Sequence, residues 1–97
     1  MLSEKQQKTI LKMYIKHATI GDSLMKKGEL KDIYSSSIGF YRSMKYLVAS
    51  GYVEKVELKN NVVFYRLTLA GQLLARLLCS LDDNPEEIKN LKFVINF

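Results

Sequence analysis

The stretch from Ser36 to Gly71, SSIGFYRSMKYLVASGYVEKVELKNNVVFYRLTLAG, changes its hydrophobic period twice. From Ser37 to about Ser50 the apolar residues Phe40, Met44, Leu47 and Val48 recur at helical spacing and share one side of a wheel, with Ser35, Gly39, Arg42, Tyr46 and Ala49 on the other. Gly51 follows where a left-handed residue ends a helix. From Tyr52 to Leu67 the period falls to two on either side of Asn60-Asn61. Asparagine tolerates positive φ, so this pair predicts a two-residue type I′ hairpin turn. That turn pairs 59 with 62 and 55 with 66, sets Val56, Leu58, Val63, Tyr65 and Leu67 on the inward face, and leaves Lys55, Glu57, Lys59, Phe64 and Arg66 on the outward one. Thr68 is then the N-cap of a helix carrying Leu69, Leu73, Leu74, Leu77, Leu78 and Leu81, a stripe wider than a small core requires.

Upstream, Ser3 and Gln6 form a capping box for a first helix, 3–17, with Ile10, Leu11, Tyr14 and Ala18 on one face and Lys5, Lys8, Lys12 and Lys16 on the other. The lysine stripe reads either as a solvated surface or as a flank touching phosphates. Residues 19–28 are irregular between Gly21 and Gly28. A second helix, 28–34, buries Leu30 and Ile33, and Ser35-Ser36-Ser37 turns the chain and caps the third helix, 37–50. The fourth covers 69–82. The expected fold is therefore mostly α with a small β-hairpin, an α+β domain over 1–82, with a C-terminal extension over 83–97. In that extension Asn84-Pro85-Glu86-Glu87 resembles a fresh helix start; Leu91, Phe93, Ile95 and Phe97 alternate like a strand, while Ile88, Leu91 and Ile95 fit a helix.

Composition narrows the partners. The 97 residues carry a net charge of +5, unevenly: residues 1–79 hold 13 Lys/Arg against 6 Asp/Glu, a balance of +7, and residues 80–97 hold 2 against 4, a balance of −2. A basic region that coincides with the helix and hairpin points to a polyanion. No stretch reaches the ~20 apolar residues of a membrane span, and Met1-Leu2-Ser3-Glu4-Lys5 lacks a signal-peptide core, so the expectation is a cytoplasmic protein without membrane contact. Cys79 is the only cysteine, which excludes an internal disulfide; a buried inert thiol and a bridge between two copies both fit. His17 is the only histidine and falls on a semi-exposed helical position. No Gly-rich phosphate loop or nucleophile elbow occurs, so neither enzymatic activity nor a cofactor or metal is expected.

The pattern Leu47-x-x-x-Gly51-Tyr52-Val53, hairpin, Tyr65-x-Leu67-Thr68-x-x-Gly71 resembles winged helix-turn-helix transcriptional regulators of the MarR and PadR kind and small archaeal winged-helix proteins, over about residues 5–80. The resemblance implies a recognition helix at 36–50, a wing at 52–67 and dimer contacts from the helix that begins at Thr68. Double-stranded DNA is then the expected partner of a homodimeric regulator. On the recognition helix the candidate contacts are Ser36, Ser37, Ile38, Gly39, Arg42, Lys45 and Tyr46. On the wing they are Lys55, Lys59, Asn60, Asn61 and Arg66. Lys55 and Arg66, expected as cross-strand neighbours, are easier to reconcile with a phosphate between them, although Glu57 lies near enough to neutralise them. Gly39 allows either close approach by an outside group or tight packing at the helix-turn-helix elbow. The candidate dimer interface is Leu73, Leu74, Leu77, Leu78, Leu81, Phe93 and Ile95. Departures from the pattern are a short wing, whose tip carries Lys59 in place of the usual arginine, and only two cations on the recognition helix. A protein-interaction module without DNA and a non-specific, chromatin-like DNA binder are the competing expectations.

Overall fold

Ser3 starts the first helix as its sequence predicts: its hydroxyl accepts the Gln6 N–H at 3.1 Å, and its own N–H donates to the Gln6 side chain at 2.9 Å. The computed structural model describes residues 2–81, the side chain of Leu81 excepted. Its elements are α1 (Glu4–Ile20), β1 (Met25–Lys26), α2 (Lys27–Leu30) continued by a 3-10 turn (Lys31–Ile33), α3 (Ser37–Ala49), β2 (Val53–Glu57), β3 (Val63–Leu67) and α4 (Leu69–Leu81). Four helices and a three-stranded antiparallel sheet of order β1-β3-β2 make an α+β fold. The extension 83–97 lies outside the described residues.

The core is one cluster built from every element. Ile10 and Met13 of α1, Leu30, Phe40, Met44 and Leu47 of α3, and Val53 are essentially solvent-free, joined by Tyr65, Leu67, Ala75 and Cys79. Phe40 is central, meeting Tyr34 and Tyr65 edge-on at centroid distances of 5.7 and 5.9 Å, an arrangement that suits the ring quadrupoles. The thiol of Cys79 is buried in this cluster. Two polar side chains share the interior. Thr9 bonds the Lys5 carbonyl and the Tyr34 hydroxyl at 2.7 Å, and Ser23 accepts the Leu67 N–H at 2.9 Å. Both are satisfied, as burial requires.

Three elements differ from their sequence-based expectation. α1 runs past His17 to Ile20, because the stop is Gly21 in the left-handed region (φ 82°). The second helix is a single α turn at Lys27–Leu30 followed by 3-10 geometry, in place of one helix over 28–34. Within the segment expected to be irregular, Met25 and Lys26 pair with Tyr65 and Phe64 as a third strand. A two-residue strand has no period to read; tertiary pairing alone defines it.

The hairpin register is also corrected by one residue. Val53 pairs with Leu67, Glu54 with Arg66, Lys55 with Tyr65 and Val56 with Phe64. The loop therefore holds three residues, Lys59, Asn60 and Asn61, closed by the Leu58 N–H on the Val62 carbonyl at 2.8 Å. Both asparagines do take positive φ, 68° and 60°. The observed register buries Val53 against Leu67 and sets the opposite charges of Glu54 and Arg66 face to face, two gains that outweigh the preferred turn length. In consequence Val56 and Leu58 leave the inward face. They stand on the outer surface of the sheet with Val62 and Phe64, where the Lys26 ammonium lies over the Phe64 ring, 5.5 Å from its centroid.

The pattern linking Gly51 to Gly71 has a single physical basis. α3 ends in a Schellman cap: the Gly51 N–H bonds the Val48 carbonyl, and the Tyr52 N–H bonds the Leu47 carbonyl, both at 3.1 Å. Across the hairpin, the Thr68 hydroxyl donates to the Gly51 carbonyl at 2.6 Å and accepts the Gly71 N–H at 3.1 Å. The Thr68 N–H donates to the Tyr52 carbonyl at 3.1 Å. Position 71 can only be glycine here, because a Cβ would run into the Tyr52 carbonyl oxygen. This clasp joins the end of α3, both feet of the hairpin and the start of α4.

Candidate nucleic-acid interface

Ser36 caps α3, its hydroxyl accepting the Gly39 N–H at 3.1 Å. With Phe40, Met44 and Leu47 buried, the opposite side of α3 is turned to solvent: Ser36, Ser37, Ile38, Arg42, Lys45, Tyr46 and Ala49 are all exposed. The inward and outward sides match the wheel read from the sequence. At Gly39 a Cβ would meet only the Ser36 hydroxyl that caps α3, at a tight 3.3 Å, and no residue of another element, so packing at the helix-turn-helix elbow does not account for the glycine.

The N-terminal end of α3 borders a cleft of about 720 Å³ lined by Lys27, Lys31, Asp32 and the three serines Ser35, Ser36 and Ser37. Lys27 reaches across it to the Ser37 hydroxyl at 3.0 Å, and its ammonium lies 4.6 Å from the centroid of Tyr41. Sequence reading missed Lys27 and Lys31 because they belong to the preceding helical turn and reach the third helix only through the chain reversal at Ser35.

The hairpin residues divide differently from the sequence-based grouping. Lys55 sits opposite Tyr65 on the sheet face that turns toward α3, where Tyr41, Met44, Lys45 and Val48 form the other wall of a groove of about 480 Å³. Its ammonium pairs with Glu57 at 3.1 Å, a hydrogen bond and a charge that raise its pKa. Arg66 points to the other face and is bound to Glu54 at 2.6 Å. Lys55 and Arg66 are therefore not neighbours. The like-charge pair inferred from the sequence does not exist, and with it goes the argument for a phosphate between them. Lys59, Asn60 and Asn61 are exposed at the tip, as expected.

The lysines of α1 are structural to a large degree. Lys12 donates to the Glu29 carbonyl and Lys16 to the Leu24 carbonyl, each at 2.5 Å, and Lys16 also pairs with the Glu29 carboxylate at 3.3 Å. Lys8 pairs with Glu4 on the same helix. The Glu29 carboxylate also accepts the Lys26 N–H, and this bond, with Lys16 nearby, lowers its pKa. Among the described residues, the cations without an ion pair or hydrogen bond are Lys5, Lys31, Arg42, Lys45 and Lys59, together with Lys26, whose contact is the Phe64 ring. Three of these, Lys31, Arg42 and Lys45, flank or belong to α3.

A second exposed surface runs along α4. Leu69, Leu73 and Leu77 repeat every four residues and are 70, 55 and 54 % exposed, while Leu74 and Leu78 are half-buried against the core side. The candidate dimer residues thus split: Leu73 and Leu77 are available, Leu74 and Leu78 partly so, and Leu69 joins them. Phe93, Ile95 and the side chain of Leu81 lie outside the described residues.

Among the described residues no group of three or more His, Cys, Asp and Glu is placed to hold a metal ion, and no helix is long and apolar enough to cross a membrane. In comparisons with protein-family models, curated proteins and solved structures, the chain matches none.

Proposed function

We propose that this chain is a winged helix-turn-helix protein that binds double-stranded DNA as a homodimer and acts as a transcriptional regulator. In this reading α2 and α3 are the helix-turn-helix, α3 enters the major groove, and the β2–β3 hairpin is the wing. The observation that carries the reading is the location of unpaired positive charge. Ion pairs or hydrogen bonds occupy Lys8, Lys12, Lys16, Lys27, Lys55 and Arg66, while Arg42 and Lys45 stand free on the exposed side of α3, with Lys31 beside it and Lys59 at the hairpin tip; among the described residues, the other two without such a bond are Lys5 on α1 and Lys26 over the Phe64 ring. Free cations on an exposed helix face are what phosphate contact requires. Arg42 has the donor geometry to read a guanine edge, and Tyr46, Ser36 and Ser37 can bond phosphate oxygens.

Fluorescence anisotropy of a labelled duplex, titrated at several salt concentrations, tests the reading. Binding should weaken with salt at a slope of about 0.9 per phosphate neutralised. Arg42→Glu with Lys45→Glu should abolish it, whereas Arg66→Gln should leave it intact because Arg66 is neutralised on the far face. Loss on Arg66→Gln with retention in the α3 double variant would refute the assignment. Competition with random duplex separates a regulator from a chromatin-like binder.

The exposed Leu69, Leu73 and Leu77 stripe suits the second part of the proposal, a dimer through α4. It equally suits a module that docks another protein by this face. Sedimentation of Leu73→Asp discriminates: a dimer of the natural chain that becomes a monomer supports the homodimer, and a natural chain that is already monomeric supports the docking module.

A further inference from the structure

We infer that Ile38 and Arg42 of α3 select a particular base step: a pyrimidine 5-methyl group, that of thymine, under Ile38, and a guanine under Arg42 no more than about two base pairs away. The inference rests on the DNA-binding reading above and names what that helix discriminates. Ile38 is 71 % exposed, more than any other large hydrophobic side chain among the described residues. The core makes no use of it, and a β-branched residue is a poorer helix former than alanine. Tyr41, on the next turn, is also exposed, but the Lys27 ammonium lies 4.6 Å from its ring centroid. Ile38 is the bare apolar group at the N-terminal end of the exposed side.

Its neighbours show what it can gain from a duplex. Lys31 stands beside the N-terminal end of α3 and Lys45 lies further along the helix, both exposed. Cations so placed bond phosphates, which fixes register but reads no sequence. Ile38 has no atom that bonds a phosphate, so it gains only by burying apolar surface. The apolar group that base pairs offer in the major groove is the thymine methyl. Set against the amino group of cytosine or adenine, the same side chain would strand a donor without a partner. Arg42 follows four residues on, so the two side chains leave one side of the helix about 5–6 Å apart. Base pairs rise about 3.4 Å each, so that separation spans one or two steps. The arginine fork matches the two acceptors of guanine. Gly39, next to Ile38, has no residue of another element where its Cβ would stand, and its missing side chain lets the helix backbone come close to the bases.

The test applies the full chain to a randomised duplex pool. Repeated selection and sequencing should enrich a thymine and a guanine at that spacing. The selected duplex is then resynthesised with uracil for that thymine, which deletes the methyl and nothing else. Anisotropy should show binding about fourfold weaker, as expected from losing one buried methyl group. With a cytosine·guanine pair at the same place, 5-methylation of the cytosine should strengthen binding by a similar factor. Ile38→Ala should erase both differences while its circular dichroism spectrum stays that of the natural chain. Enrichment of sites without this pair, equal binding of the thymine and uracil duplexes, or a difference that survives in Ile38→Ala would overturn the inference and leave DNA binding standing. Binding without enrichment of any sequence would also overturn it, in favour of the chromatin-like reading. No binding of any duplex would remove the DNA-binding reading itself, and this inference with it.

Discussion

Glycine to alanine inside a helix ordinarily stabilises by up to about 1 kcal/mol. Gly71→Ala in α4 should do the reverse. Its Cβ would overlap the Tyr52 carbonyl oxygen and stand 3.0 Å from a Leu67 methyl. The obstacle is backbone, fixed in place by the Thr68 N–H and by the Schellman cap that ends α3, so relief requires the first turn of α4 to lift. Lifting breaks three hydrogen bonds: Thr68 to Gly51, Thr68 to Tyr52, and Gly71 to the Thr68 hydroxyl. At about 1 kcal/mol each, and less the ~1 kcal/mol propensity gain, the net loss is about 2 kcal/mol. For a domain of this size that lowers Tm by roughly 8–16 °C. Thermal unfolding followed by circular dichroism measures it, with Gly28→Ala as the control, since a Cβ at Gly28 meets nothing within 4 Å. A Gly71→Ala protein as stable as the natural one would refute the clasp as the feature that fixes α4.

Two further outcomes follow from other contacts. Arg66→Glu should destabilise by placing two carboxylates across the hairpin, and Glu54→Arg in the same chain should restore what was lost; the pair is half-exposed, so a double-mutant cycle should give a coupling of no more than ~1 kcal/mol. Failure of the second substitution to rescue the first would contradict the observed register. Glu29 has its pKa lowered from 4.5, first by the Lys26 N–H and then by Lys16. A depressed folded-state value means that its contribution is fully present above pH ~4.5 and is lost as pH falls through the lower folded value. Denaturant midpoints measured between pH 6 and pH 2 should therefore fall less steeply in Glu29→Gln, and an unchanged slope would exclude the carboxylate as a fastener of β1 to α2.

Much of this architecture was legible from local chemistry. The Ser3–Gln6 capping box, the Gly51 stop, the inward and outward sides of α3 and the cap at Thr68 each depend on residues within one turn of one another, and each occurs where the sequence places it. What escaped depends on distant partners. β1 exists only because Met25 and Lys26 meet β3 some 40 residues on. The register was misjudged because the Asn-Asn pair suggests a turn length, whereas Val53 against Leu67 and Glu54 against Arg66 determine the pairing. The candidate interface suffered in the same places. Arg42 and Lys45 are readable from the helix period, but Lys27 and Lys31 require the chain reversal, and the pairing of Arg66 with Glu54 in place of Lys55 requires the register.

The clasp around Thr68 has a consequence for how the hairpin can vary. Both feet of the hairpin are anchored to the helices, at Tyr52 and at Thr68, and the anchoring bonds involve no residue between Val53 and Leu67. The tip at Lys59-Asn60-Asn61 lies outside this network of bonds and outside the core that Val53, Tyr65 and Leu67 share with the helices. Pairs of residues added or removed near Lys59-Asn60-Asn61 would alter how far the hairpin reaches, and with what charge, without re-aiming the helices beneath. Reach and orientation are separate adjustable quantities in this small chain, so the tip can be retuned to a new surface while the body of the domain keeps its geometry.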